Sequence, residues 1–422
     1  MFQAIYKLTS QVFATRAPAY LHKRVELGKE DSERLSERYG IASQPRPEGT
    51  LLWIHAASVG EARSVLALIH TLLEKHLTWN ILVTTGTLSS AKIIAAELPA
   101  NAMHQYMPLD VPAWVKAFLD HWKPDAVVWV EQEIWPNMLK EIHTRGIPAV
   151  LANGRLTESS FKRWLWIKSM ARDLLAPFKR IYAQSMYDAG RLAKLSGHEV
   201  LVKGNLKYAA EPLPFNPVLL DTLRKEIGNR PIWMASSTHM GEEYAIAEAH
   251  KIVLDARPDA LLIIVPRHPD RGEQITHDLE ELGFHTARRS LNEPVLADTQ
   301  VYLADTFSEL GLFYRLCDIV FMGGSLMPVG GHNLIEPAQL ECAVLYGPHM
   351  ENFREIKELF ERHNGSIPIK SAQELGDQVV ALVNDPDRII AMTDVLKALI
   401  AKEGEVLKCL INDVESFVGD AV

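Results

Sequence analysis

The chain has 422 residues, which is more than one ordinary core holds, so we expect two domains. Hydrophobic residues make up 47% of the sequence, and a net charge of −9 argues against a protein that wraps nucleic acid through its overall field. Three widely spaced cysteines argue against a disulfide framework or a structural zinc site, and no apolar run is long enough to cross a bilayer.

The N-terminal segment, residues 1–24, contains four basic residues and no acidic one. Its apolar residues recur at spacings compatible with one face of a helix. Two interpretations are open: a basic amphipathic helix lying on an anionic membrane surface, or a helix packed on its own domain. We favour the membrane-surface helix because the charge is one-sided.

From residue 50 onward, short apolar runs alternate with longer amphipathic segments, which predicts parallel sheets with helices on both faces. The runs predicted to be buried strands are residues 51–55, 81–84, 126–130, 149–152 and 181–183 in the first half, and 232–235, 261–265, 301–303, 319–322 and 343–346 in the second.

A proline-rich stretch at residues 211–217 interrupts this alternation and indicates a linker. The predicted organisation is α/β, with a first Rossmann-like domain at residues 25–210, a linker at 211–230 and a second Rossmann-like domain at 231–422. Ligands of such sheets bind beyond the carboxyl ends of the strands, so we expect the site in the cleft between the two domains.

In the first half, polar motifs follow three predicted strands. Ser58, Gly60 and Glu61 come after the first strand, where Ser58 and Glu61 have the spacing of a helix capping box and Glu61 is alternatively a general base. Glu131 and Glu133 follow the strand at 126–130, where a carboxylate pair could bind a metal, act as acid and base, or contact sugar hydroxyls. After the next strand, donors and positive charge are expected on the domain rim from Asn153, Arg155, Lys162 and Arg163.

In the second half, Arg267 and His268 end a strand, and the guanidinium of Arg267 suits a phosphate or carboxylate. The segment containing Asp305, Phe307 and Ser308 precedes a helix, with Asp305 as a possible cap.

The stretch from residue 323 to 336 contains two glycine pairs between a predicted strand and a predicted helix. Backbone N–H groups in such a turn are suited to an anion, although a plain glycine-rich turn has the same pattern. Asn333 is a plausible helix cap, and Glu336 lies one turn further on the same face. We therefore predict a nucleotide or nucleotide-sugar site formed by Gly330, Gly331, His332, Asn333 and Glu336.

Together these motifs resemble the 3-deoxy-D-manno-octulosonic acid (Kdo) transferases of lipopolysaccharide synthesis. The resemblance extends from about residue 1 to the C-terminal helices, and six blocks in one order across both halves make it specific. The blocks are Ser58-Val-Gly-Glu61, Glu131-x-Glu133-x-Trp-Pro-Asn137, Asn153-Gly-Arg155, Gly204-Asn-Leu-Lys207, Pro266-Arg-His268 and Gly330-Gly-His-Asn-x-x-Glu-Pro337. The chain departs from the family pattern at Ala304 and Ser308, where glycine is usual.

The resemblance implies a GT-B glycosyltransferase without a metal or other cofactor, at the cytoplasmic face of a Gram-negative inner membrane, either peripheral or anchored at its N-terminus. The donor would be CMP-Kdo and the acceptor a phosphorylated lipid A precursor, with inversion at the sugar. By the same resemblance Glu61 is the catalytic base, and Lys207 with Glu131 or Glu133 belongs to the reaction centre. The first domain would hold the acceptor, with Ser58 and Gly60 among its contacts. The second domain would hold the sugar nucleotide, with Asp305, Phe307 and Ser308 among its contacts. The alternatives are a sugar-nucleotide epimerase of the same fold or a non-catalytic nucleotide-binding protein.

Overall fold

The computed structural model describes residues 2–131 and 133–419, and the side chains of residues 2–5 lie outside that description. The described chain forms two compact units. The first comprises the residues up to Glu211 together with those from Ala401 onward, and the second comprises Pro212–Ile400. Each unit contains one parallel sheet flanked by helices, so the predicted α/β class is confirmed.

The sheet of the first unit has six strands in the order β3-β2-β1-β4-β5-β6, and every pairing is parallel. The strands are β1 Leu51–His55, β2 Asn80–Thr85, β3 Ala102–Tyr106, β4 Ala126–Val130, β5 Ala149–Gly154 and β6 Phe178–Ala183. Strands β1 and β4 are buried along their whole length, which explains their unbroken apolar sequences. The sequence analysis missed β3 because His104 and Gln105 interrupt its apolar pattern.

Helices cover both faces of this sheet, and the chain re-enters the unit at its end. The helices are α1 Phe2–Glu26, α2 Leu35–Arg38, α3 Val59–Ser64, α4 Leu66–Lys75, α5 Leu88–Glu97, α6 Pro112–Trp122, α7 Pro136–Thr144, α8 Glu158–Trp166, α9 Lys168–Leu175, α10 Met186–Ser196 and α19 Glu405–Gly419, with a 3-10 helix at Leu206–Ala209.

The second domain was predicted to contain all of residues 231–422, and this boundary is wrong. Helix α19 packs in the first unit, where Val406, Leu410 and Val414 join the core beneath β1 and β4. The apolar spacing of the segment predicts a buried helical face, but it does not specify which sheet that face covers. Residues 420–422, the last of the predicted domain, lie outside the described residues.

The sheet of the second unit has seven parallel strands in the order β13-β12-β11-β7-β8-β10-β9. The strands are β7 Ile232–Thr238, β8 Leu261–Pro266, β9 Thr286–Arg288, β10 Val301–Leu303, β11 Ile319–Met322, β12 Ala343–Tyr346 and β13 Ser366–Pro368. Its helices are α11 Pro217–Ile227, α12 Glu242–Ala256, α13 Gly272–Glu281, α14 Leu310–Tyr314, α15 Ile335–Gln339, α16 Arg354–Arg362, α17 Ala372–Val383 and α18 Pro386–Glu403, with 3-10 turns at Pro269–Arg271 and Glu351–Phe353.

The predicted linker at residues 211–230 is instead occupied largely by α11. The Asn216 side chain accepts hydrogen bonds from the first backbone N–H groups of this helix, and Pro217 occupies its first turn. The proline that indicated a linker therefore begins a helix, because proline is well suited to a position whose N–H needs no partner. The apolar face of α11 is buried against the second sheet.

Helix α1 packs on the first unit through one of its faces. The Tyr6 hydroxyl donates to Asp110 Oδ2 at 3.0 Å, and Leu21 is fully buried. Its exposed apolar side chains are Leu8, Val12, Phe13 and Tyr20. The structure thus shows the packed helix that the sequence left as the second interpretation, and the membrane contact stays a prediction. Among the described residues, no helix has the length and hydropathy that a membrane crossing requires.

Candidate active site

In the first unit, the predicted polar motifs lie at the carboxyl ends of three neighbouring strands. Strand β1 lies between β2 and β4, and β4 pairs with β5. Because all the strands are parallel, the segments that follow β1, β4 and β5 emerge at one edge of the sheet. The same edge carries the 3-10 helix with Lys207, which is held by the side chain of Asn153 near the end of β5.

Glu61 forms the capping box predicted from its spacing. Its Oε1 accepts from the Ser58 hydroxyl at 2.7 Å, its Oε2 accepts from the Ala57 backbone N–H at 2.8 Å, and its own N–H donates to Ser58 Oγ. The side chain is only 6% exposed. Burial raises the pKa of Glu61, and the nearby Glu131 charge raises it further, against the opposing hydrogen bonds.

Gly60 leaves open space beside Glu61. A Cβ atom at this position would meet no protein atom within 4 Å. The backbone at the start of α3 is therefore accessible to a bound molecule, as the sequence analysis expected. The hydroxyl of Ser58, predicted to contact an acceptor, is instead engaged by Glu61.

Glu131 directly follows β4 in a left-handed backbone conformation, with φ of 61°. Such a conformation is costly for a residue with a side chain and is characteristic of functional sites. Its Oε1 lies 3.1 Å from Lys207 Nζ and accepts from Gln184 Nε2 at 3.3 Å. The predicted grouping of Lys207 with a glutamate is thus met by Glu131. Gln132, between the two glutamates, lies outside the described residues.

Glu133 contacts a different set of side chains. Its Oε2 accepts from Trp135 Nε1 at 3.0 Å and lies 3.5 Å from His55 Nε2. Its backbone carbonyl accepts from Trp129 Nε1 at 2.7 Å. Burial alone would raise the pKa of Glu133, but His55, Trp135 and the Arg38 charge outweigh it and hold the pKa below its usual value. His55 was not among the predicted site residues.

Asn153 was predicted to offer a donor on the domain rim, and this is wrong. It is fully buried, with φ of 51°. Its Nδ2 donates to Asn205 Oδ1, and its Oδ1 accepts from the Leu206 backbone N–H, both at 2.9 Å. Asn153 therefore holds the 3-10 helix that carries Lys207, and both of its polar atoms are engaged in doing so.

The predicted basic rim lies on and before α8. Lys162 Nζ is 2.7 Å from Glu158 Oε1, and both side chains are largely exposed. Arg163 donates to Ser160 Oγ at 3.1 Å. Arg155 borders an open recess that is also lined by Glu131, Glu133 and a larger number of apolar side chains. Of these three basic residues, Arg155 is the one that the structure brings to the carboxylates.

In the second unit, a cluster of basic side chains lies beyond β7, β8 and β11. The rings of His239 and His332 stack, with their Nε2 atoms 2.9 Å apart, and His268 approaches His239 edge-on. Burial lowers the pKa of His332 to about 4, helped by positive charge at His239, Arg267 and His268. An anion bound here would relieve this crowding of positive charge. The predicted residues Arg267, His268 and His332 are thus brought together, and His239 joins them.

The first glycine pair is already occupied by a carboxylate of the chain itself. Glu242, which is fully buried, accepts through Oε2 from the N–H groups of His239 and Gly324, and through Oε1 from those of Ser325 and Leu326, at 2.6–3.0 Å. The anion site predicted from the glycines exists here, but its anion is Glu242.

The second glycine pair is constrained by packing. Gly330 and Gly331 have φ of 103° and 75°, and a Cβ on either would collide with Asn352 or Met350. The Gly331 N–H donates to the Gly324 carbonyl, so it is unavailable to a phosphate while that bond is intact. The plain-turn interpretation therefore accounts for much of this stretch.

Asn333 and Glu336 have the predicted relationship at the start of α15. Asn333 Oδ1 accepts from the Ile335 N–H at 3.1 Å, and its Nδ2 donates to Glu336 Oε1 at 3.2 Å. The two side chains therefore form one polar group on one face, as the spacing indicated.

Asp305 is not a helix cap, because α14 begins five residues later and Glu309 precedes it. Asp305 instead binds Arg288 at 2.8 Å and the Ser290 hydroxyl at 2.7 Å. Ser308 has φ of 64°, a left-handed conformation that glycine adopts more readily. Phe307 is 78% exposed. Within the described residues, no group of three or more potential ligands is arranged to bind a metal.

Comparison with known proteins identifies a family to which this chain is similar. A family model described as 3-Deoxy-D-manno-octulosonic-acid transferase (kdotransferase) matches residues 33–210, within the first unit. The 3-deoxy-D-manno-octulosonic acid transferase of Haemophilus influenzae is 37% identical over 367 residues, which cover 84% of this chain and 84% of that protein.

Two solved structures share the fold. The UDP-GlcNAc 2-epimerase from Neisseria meningitidis bound to UDP-GlcNAc has a TM-score of 0.57 and 14% identity, and covers 87% of this chain and 100% of its own. A glycosyltransferase from Rickettsia africae has a TM-score of 0.53 and 14% identity, and covers 88% and 99%. Because an epimerase and a transferase match equally well, this likeness establishes architecture without choosing between activities.

Proposed function

The chain belongs to the 3-deoxy-D-manno-octulosonic acid (Kdo) transferase family, and from this premise we propose that it transfers Kdo from CMP-Kdo to a hydroxyl group of a phosphorylated lipid A precursor. Family membership makes the chain a glycosyltransferase. The observation that carries the finer proposal is Glu61, a buried carboxylate with a raised pKa at the carboxyl edge of the first sheet.

Glu61 acts as the general base. The acceptor O–H bond breaks as its proton passes to Glu61, and the acceptor oxygen forms a bond to the anomeric carbon of Kdo. The bond from that carbon to the phosphate oxygen breaks at the same time, so CMP leaves with the electron pair and the configuration inverts. A raised pKa makes Glu61 a stronger base than an exposed carboxylate, and the open space at Gly60 gives the acceptor access.

Lys207 and Arg155 place positive charge near the glutamates of the first unit. Lys207 pairs with Glu131 and limits how far the Glu131 charge raises the pKa of Glu61. Arg155 borders the recess next to Glu131 and Glu133, where it suits a phosphate of the acceptor. These contacts support an anionic, hydroxyl-bearing acceptor.

The second unit binds the donor. The cluster of His239, His332, His268 and Arg267 favours the phosphate and the Kdo carboxylate, because the Arg267 guanidinium is charged and a bound anion would raise the lowered pKa values of His239 and His332. Glu336, hydrogen-bonded to Asn333, offers its carboxylate to the ribose hydroxyls. The glycines contribute the shape of the turn more than free N–H groups.

The epimerase alternative has weaker support. The epimerase structure that shares the fold is 14% identical to this chain, whereas the Kdo transferase of H. influenzae is 37% identical over a comparable length.

Membrane association is likewise part of the proposal. Exposed Leu8 and Val12 on α1 are suited to the surface of the inner membrane, where the lipid acceptor lies.

Glu61→Gln tests the base directly. The variant keeps the shape of the capping box but removes the proton acceptor, so transfer should fall by about two orders of magnitude while CMP affinity is unchanged. Transfer is measured by mass spectrometry of the lipid after incubation with CMP-Kdo and a phosphorylated lipid A precursor, and CMP binding by calorimetry. Glu74→Gln, on the exposed side of α4, is the matched control.

Full transfer by Glu61→Gln would move the base elsewhere in the first unit. Failure of the unaltered protein to add Kdo to the lipid, with CMP still bound, would overturn the proposed acceptor.

A further inference from the structure

Three aromatic side chains from different positions converge on Glu133. Trp129, within β4, donates to its carbonyl, and Trp135, two residues after it, donates to Oε2. His55, the last residue of β1, directs Nε2 at the same Oε2 from 3.5 Å. Packing alone does not require three contacts to fix a residue whose side chain remains 40% exposed. A carboxylate that is exposed to solvent but fixed in position by neighbouring side chains is typical of a residue that contacts a ligand.

The hydrogen bonds of His55 indicate which ring nitrogen carries the proton. Its Nδ1 lies 2.9 Å from Thr84 Oγ1, which also accepts from Trp53 Nε1–H at 2.9 Å. Because Thr84 Oγ1 accepts from Trp53, the Thr84 hydroxyl hydrogen is available to be donated to His55 Nδ1. With Nδ1 as the acceptor, the ring proton of His55 is on Nε2. That N–H then has no hydrogen-bond partner among the described residues, and Glu133 Oε2, 3.5 Å from Nε2, is the acceptor beside it.

The surroundings of His55 leave Glu133 as its nearest charged partner. The side chain is completely buried, and the ring packs against Trp129 with centroids 4.4 Å apart. Thr84 and Trp53, on β2 and β1, are uncharged. Two other ionisable groups act from further away: Glu61 interacts electrostatically with His55, and Arg38 with Glu133.

The left-handed turn at Glu131 separates the two glutamates. Glu131 pairs with Lys207 at 3.1 Å, whereas Glu133 Oε2 lies 3.5 Å from Nε2 of His55, the last residue of β1. The carboxylates that the sequence presented as one pair therefore have different partners and different tasks.

We propose that His55, through Nε2–H, is a positioning residue that orients Glu133 to accept a hydrogen bond from a sugar hydroxyl of the acceptor. The inference rests on the proposed function, since it assigns Glu133 to the acceptor. Glu131 and Lys207 then remain with the base, and Glu133 fixes which hydroxyl reaches Glu61. The 3.5 Å separation shortens when the acceptor is bound, as contacts in unliganded active sites commonly do.

A double-mutant cycle tests this coupling. His55→Gln keeps an N–H near the position of Nε2 but loses the rigid ring, so we expect the KM for the acceptor to rise about tenfold with the KM for CMP-Kdo unchanged. Glu133→Gln should raise the acceptor KM by at least as much. Adding His55→Gln to Glu133→Gln should change it by less than twofold, because the orienting bond is already lost.

His143→Gln, on the exposed part of α7, is the matched control and should leave both KM values unchanged. If His55→Gln raises the KM for the acceptor by the same factor in the unaltered protein and in Glu133→Gln, then His55 acts independently of Glu133 and the proposal is overturned. A rise in the donor KM alone would do the same.

A second measurement does not depend on transfer. Two-bond proton–nitrogen NMR spectra of histidine-labelled protein, with the His55 signals identified by His55→Gln, report the tautomer. We expect the Nε2 atom to carry the ring proton and the signal of this proton to shift in Glu133→Gln. A proton on Nδ1, or an unshifted signal, overturns the inference. If the unaltered protein adds no Kdo, the proposed function fails while this spectrum still decides the role of His55.

Discussion

Replacing Glu242 by glutamine measures how strongly the glycine turn that begins at residue 323 depends on one buried carboxylate. Both oxygens of Glu242 accept two backbone N–H groups each, including those of Gly324 and Ser325. In glutamine, one oxygen becomes an NH₂ group that donates and therefore opposes two of these N–H groups. Each buried N–H left without an acceptor costs about 1–3 kcal/mol, so we expect the variant to lose about 2–6 kcal/mol.

Hydrogen exchange locates this loss. A loss of about 2 kcal/mol corresponds to roughly 30-fold faster opening, because about 1.4 kcal/mol is tenfold. Peptides covering residues 323–336 should exchange faster by at least that factor, and CMP affinity should fall because the adjoining histidines lose their support. Glu248→Gln makes the same chemical change on the exposed face of α12 and should leave exchange unaltered. Equal protection in the two variants would refute the structural role of Glu242.

Three further predictions concern other parts of the chain. Burial lowers the pKa of His250 to about 4, so on acidification the unfolded chain binds a proton at this residue before the folded chain does. The free energy of unfolding should therefore fall from pH 6.5 towards pH 4, by at most about 1.4 kcal/mol per pH unit. Urea unfolding should show this slope in the His277→Gln control and a shallower slope in His250→Gln. Lys207→Met removes the cation of the ion pair and should lower the rate of transfer at least tenfold with CMP affinity unchanged, whereas an unchanged rate would exclude Lys207 from the reaction. Leu8→Gln with Val12→Gln should weaken sedimentation with anionic vesicles without unfolding α1, and undiminished binding would rule out this surface as the membrane contact.

The sequence predicted the fold wherever one physical pattern dominated. Strands β1 and β4 are buried on both faces and have unbroken apolar sequences, so their bounds were predicted to the residue. Strand β3 was missed because buried His104 and Gln105 make tertiary contacts that sequence does not display: His104 Nε2 contacts the Thr85 hydroxyl, and Gln105 Oε1 accepts from the Trp122 N–H. The Pro217 signal was ambiguous in itself, since proline begins a helix as readily as it marks a linker.

Contacts at the candidate site were predictable where the two partners are close in sequence. Ser58 and Glu61 are three residues apart, and the capping box formed as expected. Asn153 was misjudged because its partners, Asn205 and Leu206, lie in a distant segment. The contacts of Glu242 were not predicted for the same reason. A glutamate at a helix start is ordinary, and nothing in the sequence connects it to a glycine turn that lies far along the chain.

The return of the chain to the first unit makes the second unit an insertion. The chain leaves the first unit after Glu211 and rejoins it at Ala401, so both ends of the inserted segment belong to one fold. A fragment ending at residue 211 would expose the apolar surface that α19 covers. It would also lose the Glu403 carbonyl that accepts from the Asn205 N–H, next to Lys207. An independently folding first unit therefore has to be made by joining residue 211 to residue 401, with a linker in place of the second unit.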